Sequence, residues 1–323
     1  MTTSTSAPTP MIEVRELSKA YGPHKAIDRI SFSVKKGEVV GFLGPNGAGK
    51  TTTMKIITGF MPPTSGVAKV AGFDVFEDPI EVKKRIGYLP ETPPVYGEMT
   101  VESYLKFVAR LKGVEKSRVK TLVERAIERT ELGNVRHRLI QNLSKGYRQR
   151  VGISQALVSE PDVLILDEPT VGLDPRQVAE VRTLIKELAG EHTVILSTHI
   201  LPEVQATCER IIIINKGKIV AEDSLESLGR RMKSSVRVYL RVGELKDGLK
   251  EQLQAVPGVH SVTNKGESFE IDTDGSKDVA QQIAARVVSS GAGLLELREE
   301  AFNLEDVFLK LTTSEENQPG AAV

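Results

Sequence analysis

The stretch that decides the fold runs from Val39 to Thr51 and reads VVGFLGPNGAGKT. Its first five residues form a continuous apolar run, which is typical of a strand buried on both faces of a parallel sheet. A Gly-rich turn follows, and a helix is predicted to begin at Lys50. A buried strand that leads through a tight turn into a helix predicts an α/β fold with a parallel core sheet.

The turn matches the pattern G-x-x-x-x-G-K-[ST], which binds phosphate groups when it lies between a strand and a helix. Its glycines let backbone N–H groups curl around β- and γ-phosphate oxygens, and the helix N-terminus adds its positive end. Lys50 supplies a mobile cation, and Thr51 offers a hydroxyl to magnesium. We therefore expect nucleotide contacts from Gly44, Pro45, Asn46, Gly47, Ala48, Gly49, Lys50, Thr51 and Thr52.

A second buried strand, Val163–Leu166, ends in two acids. A carboxylate at the mouth of such a strand can hold magnesium through water, and this assigns Asp167 to the metal. Glu168 follows one residue farther out, where a carboxylate can polarise the water that attacks the γ-phosphorus. An apolar strand ending in two acids is a weak signal by itself, but together with the Gly-rich turn it predicts a nucleotide-hydrolysing site.

A histidine follows a third buried strand, Thr193–Leu196. His199 is expected at the carboxyl end of that strand, where open parallel sheets place their ligands. We expect it to donate a hydrogen bond to the γ-phosphate. The other histidines are interpreted as structural or solvated: His24, His137, His192 and His260.

The rest of the chain predicts further layers around this core. Apolar and polar residues alternate near residues 12–14 and 30–34, which indicates antiparallel strands, and residues 101–150 are predicted to be mostly helical. From Val236 onward the order β-α-β-β-α-β fits a small α+β ferredoxin-like domain. We therefore divide the chain into a disordered tail (1–10), a nucleotide-binding domain (11–225) with a helical subdomain at about 92–150, a linker (226–233), the ferredoxin-like domain (234–312) and a second disordered tail (313–323).

Composition narrows the function classes. The 323 residues are 40% apolar, enough for real cores, and 43 basic residues balance 43 acidic ones. With no overall positive field, no nucleic-acid partner is expected. A lone Cys208 cannot form an internal disulfide, so the chain suits a reducing, cytoplasmic compartment. No apolar run approaches the roughly 20 residues that span a bilayer, and any membrane role therefore requires a partner.

With these elements placed, the chain resembles the nucleotide-binding subunit of ATP-binding cassette (ABC) transporters over about residues 12–224. Leu143–Arg150, LSKGYRQR, is similar to the family signature segment, and Val171–Asp174, VGLD, is similar to its D-loop. His199 resembles the family's switch histidine, and Tyr21 resembles the aromatic residue that stacks on adenine. The resemblance implies a P-loop NTPase fold of the ABC ATPase type, with an antiparallel β subdomain and a helical subdomain, and an ATPase that depends on Mg²⁺.

The signature segment also has its own physical logic. Ser144 is a good N-cap for a following helix, so its hydroxyl, the Gly146 N–H and the helix end form a second anion site. The resemblance implies that this site closes on the γ-phosphate of an opposite subunit, giving a head-to-tail homodimer with two ATP molecules at its interface. By the same resemblance, Asp174 of the D-loop belongs to the nucleotide interface.

Two segments depart from the family pattern. The usual signature is Leu-Ser-Gly-Gly-Gln, and here Lys145 and Tyr147 replace its first Gly and its Gln. At Glu91 most relatives have a glutamine that reaches magnesium and the attacking water. A glutamate can still accept from metal-bound water, although it cannot donate as an amide does. Glu91 is therefore assigned to the catalytic and metal-binding groups by resemblance.

Weaker strings resemble the ABC-2 type subfamily of drug, sodium and gliding-motility ATPases: residues 59–66, 86–91 and 303–309. This implies an ATP-hydrolysing subunit that powers an exporter and lies on the inner face of the cell membrane through an integral membrane permease. The alternative is a soluble ABC-type ATPase that acts as a regulatory dimer or remodels ribosomes or nucleic acid. Ribosomal members usually carry two cassettes and DNA-repair members a long coiled coil, and neither feature is in this sequence.

Overall fold

The computed structural model describes residues 10–224, 227 and 236–301. The division between its two compact units falls between Asp223 and Ser224. The predicted tail 313–323 and the subfamily string at 303–309 lie outside the described residues, as do nearly all of the tail 1–10 and of the linker 226–233.

The elements of the first unit follow the chain in this order: β1 (Ile12–Tyr21), β2 (His24–Val34), β3 (Val39–Leu43), α1 (Lys50–Ile57), β4 (Ser65–Val70), β5 (Phe73–Asp74), α2 (Pro79–Arg85), β6 (Ile86–Leu89), α3 (Val101–Leu111), α4 (Lys116–Arg129), two short 3₁₀ helices (Gly133–Val135 and Ile140–Asn142), α5 (Lys145–Leu157), β7 (Val163–Asp167), α6 (Pro175–Glu187), β8 (Thr193–Thr198), α7 (Leu201–Thr207), β9 (Arg210–Asn215) and β10 (Lys218–Ser224).

The central sheet has six strands in the order β10-β9-β3-β8-β7-β6, and the five from β9 to β6 are parallel. Every residue of β3, β7 and β8 is buried, which explains their unbroken apolar pattern. The register pairs Leu43 with Thr198 and Asp167 with Ser197. The Gly-rich turn, the two acids and His199 therefore leave the sheet at one edge, and the predicted parallel core is confirmed.

A second sheet, β2-β1-β4-β5, is antiparallel throughout and shares one hydrophobic core with the central sheet. The rings of Phe32 on β2 and Phe42 on β3 lie 5.5 Å apart and join the two layers. Tyr21 is the last residue of β1. The antiparallel layer therefore carries the predicted adenine-stacking residue on a strand anchored in the common core.

Helices α3, α4 and α5 form a core of their own around residues such as Leu105, Val123 and Val151. The Thr100 hydroxyl caps α3 by accepting from the Ser103 N–H. Helix α5 continues to Leu157, beyond the expected helical limit near residue 150, because its later turns still face this core.

The second unit contains β11 (Val236–Val242), α8 (Leu249–Gln254), β12 (Val259–Lys265), β13 (Ser268–Thr273), α9 (Lys277–Ser289) and β14 (Leu294–Ala301). Its sheet has the order β12-β13-β11-β14 with every neighbouring pair antiparallel. This is the order that a β-α-β-β-α-β chain of the ferredoxin-like type gives. The core includes Leu240, Phe269 and Ile283.

In neither unit is there, among the residues described, a helix both long enough and apolar enough to cross a membrane.

Candidate nucleotide-binding site

The Gly-rich turn passes so close to its neighbours that two of its glycines have no room for a side chain. A Cβ at Gly44 would lie 2.3 Å from the Ile214 carbonyl oxygen, and one at Gly49 would lie 2.7 Å from that of Ala26. Gly49 also has a φ of +108° at the N-cap of α1, a conformation that favours glycine. The turn therefore presents bare backbone beside a helix N-terminus, which is the geometry that binds phosphate.

The ammonium group of Lys50 lies inside the turn with only 6% of the residue exposed. Its Nζ donates to the Gly44 oxygen at 2.8 Å and to the Pro45 oxygen at 3.3 Å. It also lies 3.4 Å from Oε1 of Glu168. A largely desolvated cation that touches both the turn and an acid can bind a phosphate group inserted between them.

Asp167, at the end of β7, is fully buried. The Ser197 hydroxyl donates to its Oδ1 at 2.7 Å, whereas Oδ2 accepts no hydrogen bond from any residue that the structure describes. Burial raises the pKa of Asp167, and the hydroxyls of Ser197 and Thr51 oppose that rise. A buried carboxylate oxygen with unused acceptor capacity beside a threonine hydroxyl suits magnesium.

Metal binding here would depend on more than protein ligands. The described residues contain no group of three or more His, Cys, Asp or Glu side chains placed to hold an ion. Magnesium commonly keeps several waters and takes one or two carboxylates together with phosphate oxygens. Asp167 and Thr51 therefore fit a magnesium ion that is shared with a nucleotide.

Glu168 is held from several sides. Its backbone has a φ of +50°, which costs about 1–3 kcal/mol for a residue with a side chain and persists because of the contacts around it. The Glu168 N–H donates to the Ser197 oxygen at 2.8 Å. His199 Nδ1 lies 3.0 Å from both carboxylate oxygens, and the Thr198 hydroxyl lies 3.3 Å from Oε2. The carboxylate therefore has a defined position beside Lys50.

The imidazole of His199 is half-exposed, with 42% of its side chain accessible. When Nδ1 donates to Glu168, a neutral ring carries no hydrogen on Nε2. A donation from Nε2 to a phosphate oxygen therefore requires the ring to take up a second proton.

A cleft of about 530 Å³ brings most of the predicted residues together. This volume lies in the range of small-molecule sites. Thirteen residues line the cleft: Tyr21, His24, Ala26, Asn46, Gly47, Gly49, Lys50, Thr51, Thr52, Glu91, Glu168, Val171 and His199. Three of them, His24, Ala26 and Val171, were not predicted as nucleotide contacts. Of the predicted contacts in the Gly-rich turn, Gly44, Pro45 and Ala48 are absent from the lining.

Tyr21 and Glu91 lie on the exposed part of this cleft. Half of Tyr21 is accessible, and its hydroxyl donates to the Met61 sulfur at 3.2 Å. The Lys19 ammonium lies 5.5 Å from the centre of the Tyr21 ring. Glu91 is exposed just beyond β6 and lines the same cleft. His24, interpreted from the sequence as structural or solvated, is exposed and pairs with Tyr21 across the β1–β2 hairpin.

Gly146 of the signature segment and Asp174 of the D-loop line a second cleft of about 440 Å³, whose lining shares no residue with the first, whereas Val171 of the D-loop lines the first cleft. Ser144 caps α5 by accepting from the Tyr147 N–H, and Asp174 caps α6 by accepting from the Gln177 N–H at 3.0 Å. A Cβ at Gly146 would lie 2.5 Å from the Gln177 side chain. Within one chain, Gly146 and Asp174 are thus neighbours and do not line the cleft of the phosphate-binding turn.

Both departures in the signature segment have neighbours in their own subunit. The Tyr147 hydroxyl accepts from Asn134 Nδ2 at 2.8 Å, and its ring packs on the helical core. Lys145 Nζ lies so close to Gly172 that a Cβ there would be 1.9 Å away. Lys145 is therefore in contact with the D-loop of its own chain.

Comparison with known proteins identifies the family. The family model described as ABC transporter matches residues 27–171. The bacitracin transport ATP-binding protein BcrA of Bacillus licheniformis is 34% identical over 309 residues, 93% of this chain and 97% of BcrA. The linearmycin resistance ATP-binding protein LnrL of Bacillus subtilis is 32% identical over 94% of this chain and 98% of its own length. The chain belongs to the ABC transporter ATP-binding family.

Solved structures agree with this ABC ATPase assignment. The structure described as the ATP-binding subunit of an ABC transporter is 31% identical, with a TM-score of 0.62 over 68% of this chain and 92% of that one. A dimeric ATP-binding cassette described in a post-hydrolysis state with ADP and Pi is 25% identical, with a TM-score of 0.61 over 67% of this chain and 99% of that one. The predicted P-loop ABC ATPase fold and the ATP-hydrolysing activity of the family are confirmed.

The sequence analysis missed four residues of this ABC ATPase that surround its acids: Thr170, Ser197, Thr198 and Glu203. Ser197 and Thr198 immediately precede His199 at the end of a buried strand, and that position is a usable signal. Glu203 gives none, because an acid in the first turn of a helix is usually solvated. Its partner Thr170 lies 33 residues earlier, so only the fold brings the two together.

Proposed function

We propose that this ABC ATPase is the magnesium-dependent subunit that powers an ABC-2 type exporter, working as a homodimer bound to an integral membrane permease. The observation that carries the catalytic part is the position of Glu168, whose carboxylate lies 3.0 Å from His199 and 3.4 Å from Lys50, next in sequence to the buried Asp167. This arrangement supports a base, a cation and a metal ligand acting on one phosphate group.

The proposed reaction assigns a role to each group. Glu168 accepts the proton of the water that attacks the γ-phosphorus, and His199 holds Glu168 and the γ-phosphate in place. Lys50 and the N–H groups of the Gly-rich turn offset the negative charge that develops on the phosphate oxygens. Asp167, Thr51 and, through water, Glu91 would hold the magnesium, which supplies charge neutralisation and orients the phosphates. Tyr21 stacks on the adenine ring.

The homodimer is inferred from the separation of the two clefts. Ser144, Gly146 and Asp174 lie apart from the Gly-rich turn of their own chain, so they can complete a site only on another subunit. A head-to-tail pair uses both clefts twice and encloses two ATP molecules. Dimeric cassettes among the related structures support this arrangement.

The permease and the direction of transport are inferred from relatives. BcrA is described as a bacitracin transport protein and LnrL as a linearmycin resistance protein, which favours export. A permease would place this subunit at the inner face of the cell membrane. No observation favours a regulatory or ribosome-remodelling dimer, and the zero net charge gives no support to a nucleic-acid partner.

The test of the catalytic proposal is Glu168→Gln in the full chain. The amide keeps the shape but accepts no proton, so we expect ATP binding to persist, turnover to fall by about 100-fold or more and an ATP-bound dimer to accumulate on size exclusion. Glu209→Gln, an exposed acid beside α7, is the matched control and should turn over like the parent. Turnover at the parental rate in Glu168→Gln would refute the assignment.

Recovery of a permease with the tagged chain from detergent extract tests the transport part, and recovery of ribosomes or DNA instead would contradict it.

A further inference from the structure

A buried acid outside the family motifs lies behind the catalytic cleft. Glu203 is in the first turn of α7 and only 2% exposed. Its Oε1 accepts from the Thr170 hydroxyl, and its Oε2 accepts from the Thr198 hydroxyl at 3.0 Å. Thr170 and Thr198 are themselves buried. One carboxylate thus joins two chain segments: the turn that follows β7 and carries Glu168, and the end of β8 that leads into His199.

An ordinary helix-start role does not account for this acid. A capping carboxylate accepts from backbone N–H groups of its own first turn, whereas both oxygens of Glu203 accept from side chains of other elements or of the preceding strand. A packing role would favour an apolar residue here, because Leu201 and Val204 in the same helix are buried. A carboxylate is costly at such a position unless its hydrogen bonds are needed.

The hydroxyl of Thr198 connects Glu203 to the catalytic acid. Its Oγ1 lies 3.0 Å from Glu203 Oε2 and 3.3 Å from Glu168 Oε2, and it accepts from the Ile200 N–H at 3.1 Å. A hydroxyl has one hydrogen and can donate it fully to only one of the two acids. The shorter contact directs that hydrogen to Glu203. Glu168 is then oriented chiefly by His199 and Lys50, at the cleft.

The same contacts support a strained turn. Glu168 has a φ of +50°, and such a conformation persists only where its surroundings hold it. Two residues later, the Thr170 hydroxyl is bonded to Glu203. Without that bond, nothing else described on the Thr170 side chain holds this part of the turn to α7.

We propose that Glu203 is a positioning residue for ATP hydrolysis: by binding the hydroxyls of Thr170 and Thr198 together, it fixes the turn that carries Glu168 relative to the strand end that carries His199. Glu203 does not line the cleft of the Gly-rich turn and acts through these two threonines. The inference rests on the catalytic role proposed for Glu168.

The test compares Glu203→Gln with Thr198→Val and Thr198→Ser in the full chain, with Glu209→Gln as the control. A glutamine has one acceptor oxygen in place of two, so it accepts from only one of the two threonine hydroxyls, and valine removes the hydroxyl at residue 198. A small misplacement of a reacting group slows the chemical step strongly, so we expect kcat to fall about 10- to 100-fold in Glu203→Gln and Thr198→Val. Thr198→Ser keeps the hydroxyl and should retain most of the turnover.

Two readouts separate positioning from general damage. Affinity for a fluorescent ATP analogue, measured without magnesium, should stay within about twofold of the parent, because the groups that bind phosphate are unchanged. The double variant Glu203→Gln/Thr198→Val should turn over as fast as the less active of the two single variants, because both substitutions disrupt the same connection. Thermal unfolding identifies any variant that does not fold. If Glu203→Gln does not fold, the comparison of turnover between Thr198→Val and Thr198→Ser tests the inference.

The inference is wrong if Glu203→Gln keeps kcat within about twofold of the parent, or if Thr198→Ser is as impaired as Thr198→Val. The second result would mean that keeping the hydroxyl does not preserve turnover. Glu168→Gln distinguishes this failure from a failure of the proposed function. An inactive Glu168→Gln beside a fully active Glu203→Gln removes only the positioning role, whereas an active Glu168→Gln removes the catalytic assignment on which it rests.

Discussion

The two clefts of the first unit hold their charges in opposite ways. In the cleft of the Gly-rich turn, Lys50 and Glu168 are buried and touch each other, with Asp167 behind them. In the cleft of the signature segment, exposed Arg176 and the less exposed Arg150 both pair with Glu180 at the surface. The attraction between buried charges is strong but their desolvation is costly, whereas exposed ion pairs contribute little to stability. The difference agrees with the proposal that the first cleft carries the chemistry and that the second contacts another subunit.

The largest effect is expected at the buried cation. Lys50→Ala removes the ammonium group that lies 3.4 Å from Glu168 in the Gly-rich turn. We expect ATP affinity to fall by about 100-fold or more, since a charge-assisted contact to phosphate is lost from a desolvated site. Lys55→Ala, on the same helix but near the Phe60 ring, is the control for loss of a lysine from α1. Equal affinities for the two variants would contradict the role of Lys50.

A substitution in the signature segment should lower turnover and leave the affinity of the monomer for ATP unchanged. Ser144→Ala removes the α5 cap and the hydroxyl proposed for the partner's phosphate, so we expect ATP-dependent dimerisation and turnover to fall about tenfold, with monomer affinity unchanged. Thr100→Ala is the matched control, because it removes the cap of α3 at a comparable stability cost of about 1 kcal/mol. If both variants lost turnover equally, the loss would reflect stability and not the dimer interface.

This contrast between the clefts could be predicted only in part. The parallel core follows from local patterns, because a strand buried on both faces needs an unbroken apolar run such as Val39–Leu43. The cap at Ser144 likewise depends on neighbouring residues alone. The link from Glu203 to Thr170 crosses 33 residues and has no local signature. Sequence patterns therefore predict the proposed reacting groups but not the contacts that orient them.

Local details also shifted where a single residue decides a boundary. The first helix of the ferredoxin-like unit, α8, begins at Leu249 because Gly248 takes a φ of +78° and acts as its N-cap. The positive φ of Glu168 was likewise unexpected, since an acid gives no sign that its backbone will be left-handed. Both features depend on how the chain must turn in three dimensions.

A smaller effect is expected at the edge of the first cleft. Tyr21→Ala removes the exposed ring and should weaken ATP affinity about threefold to tenfold, which is the usual range for one aromatic stack. Tyr21→Phe keeps the ring face and loses only the hydroxyl contact to Met61. Its affinity, measured with the same fluorescent nucleotide, should match the parent. Equal affinities in all three proteins would exclude stacking at this residue.

The smallest effect is expected for the surface charges of the second cleft. Hydrogen bonds from Arg150, and then from Arg176, lower the pKa of Glu180 below its usual 4.5. Because the folded pKa is depressed, the stabilisation is present above the unfolded pKa and is lost as the pH falls through the folded one. Glu180 keeps 35% of its side chain exposed and its partner Arg176 keeps 90%, so water screens these charges and Glu180→Gln should cost less than about 1 kcal/mol at neutral pH. Thermal unfolding should show the difference from the parent shrinking below pH 4.5 and in high salt. A large cost that survives high salt would mean that this cleft, too, holds a desolvated charge.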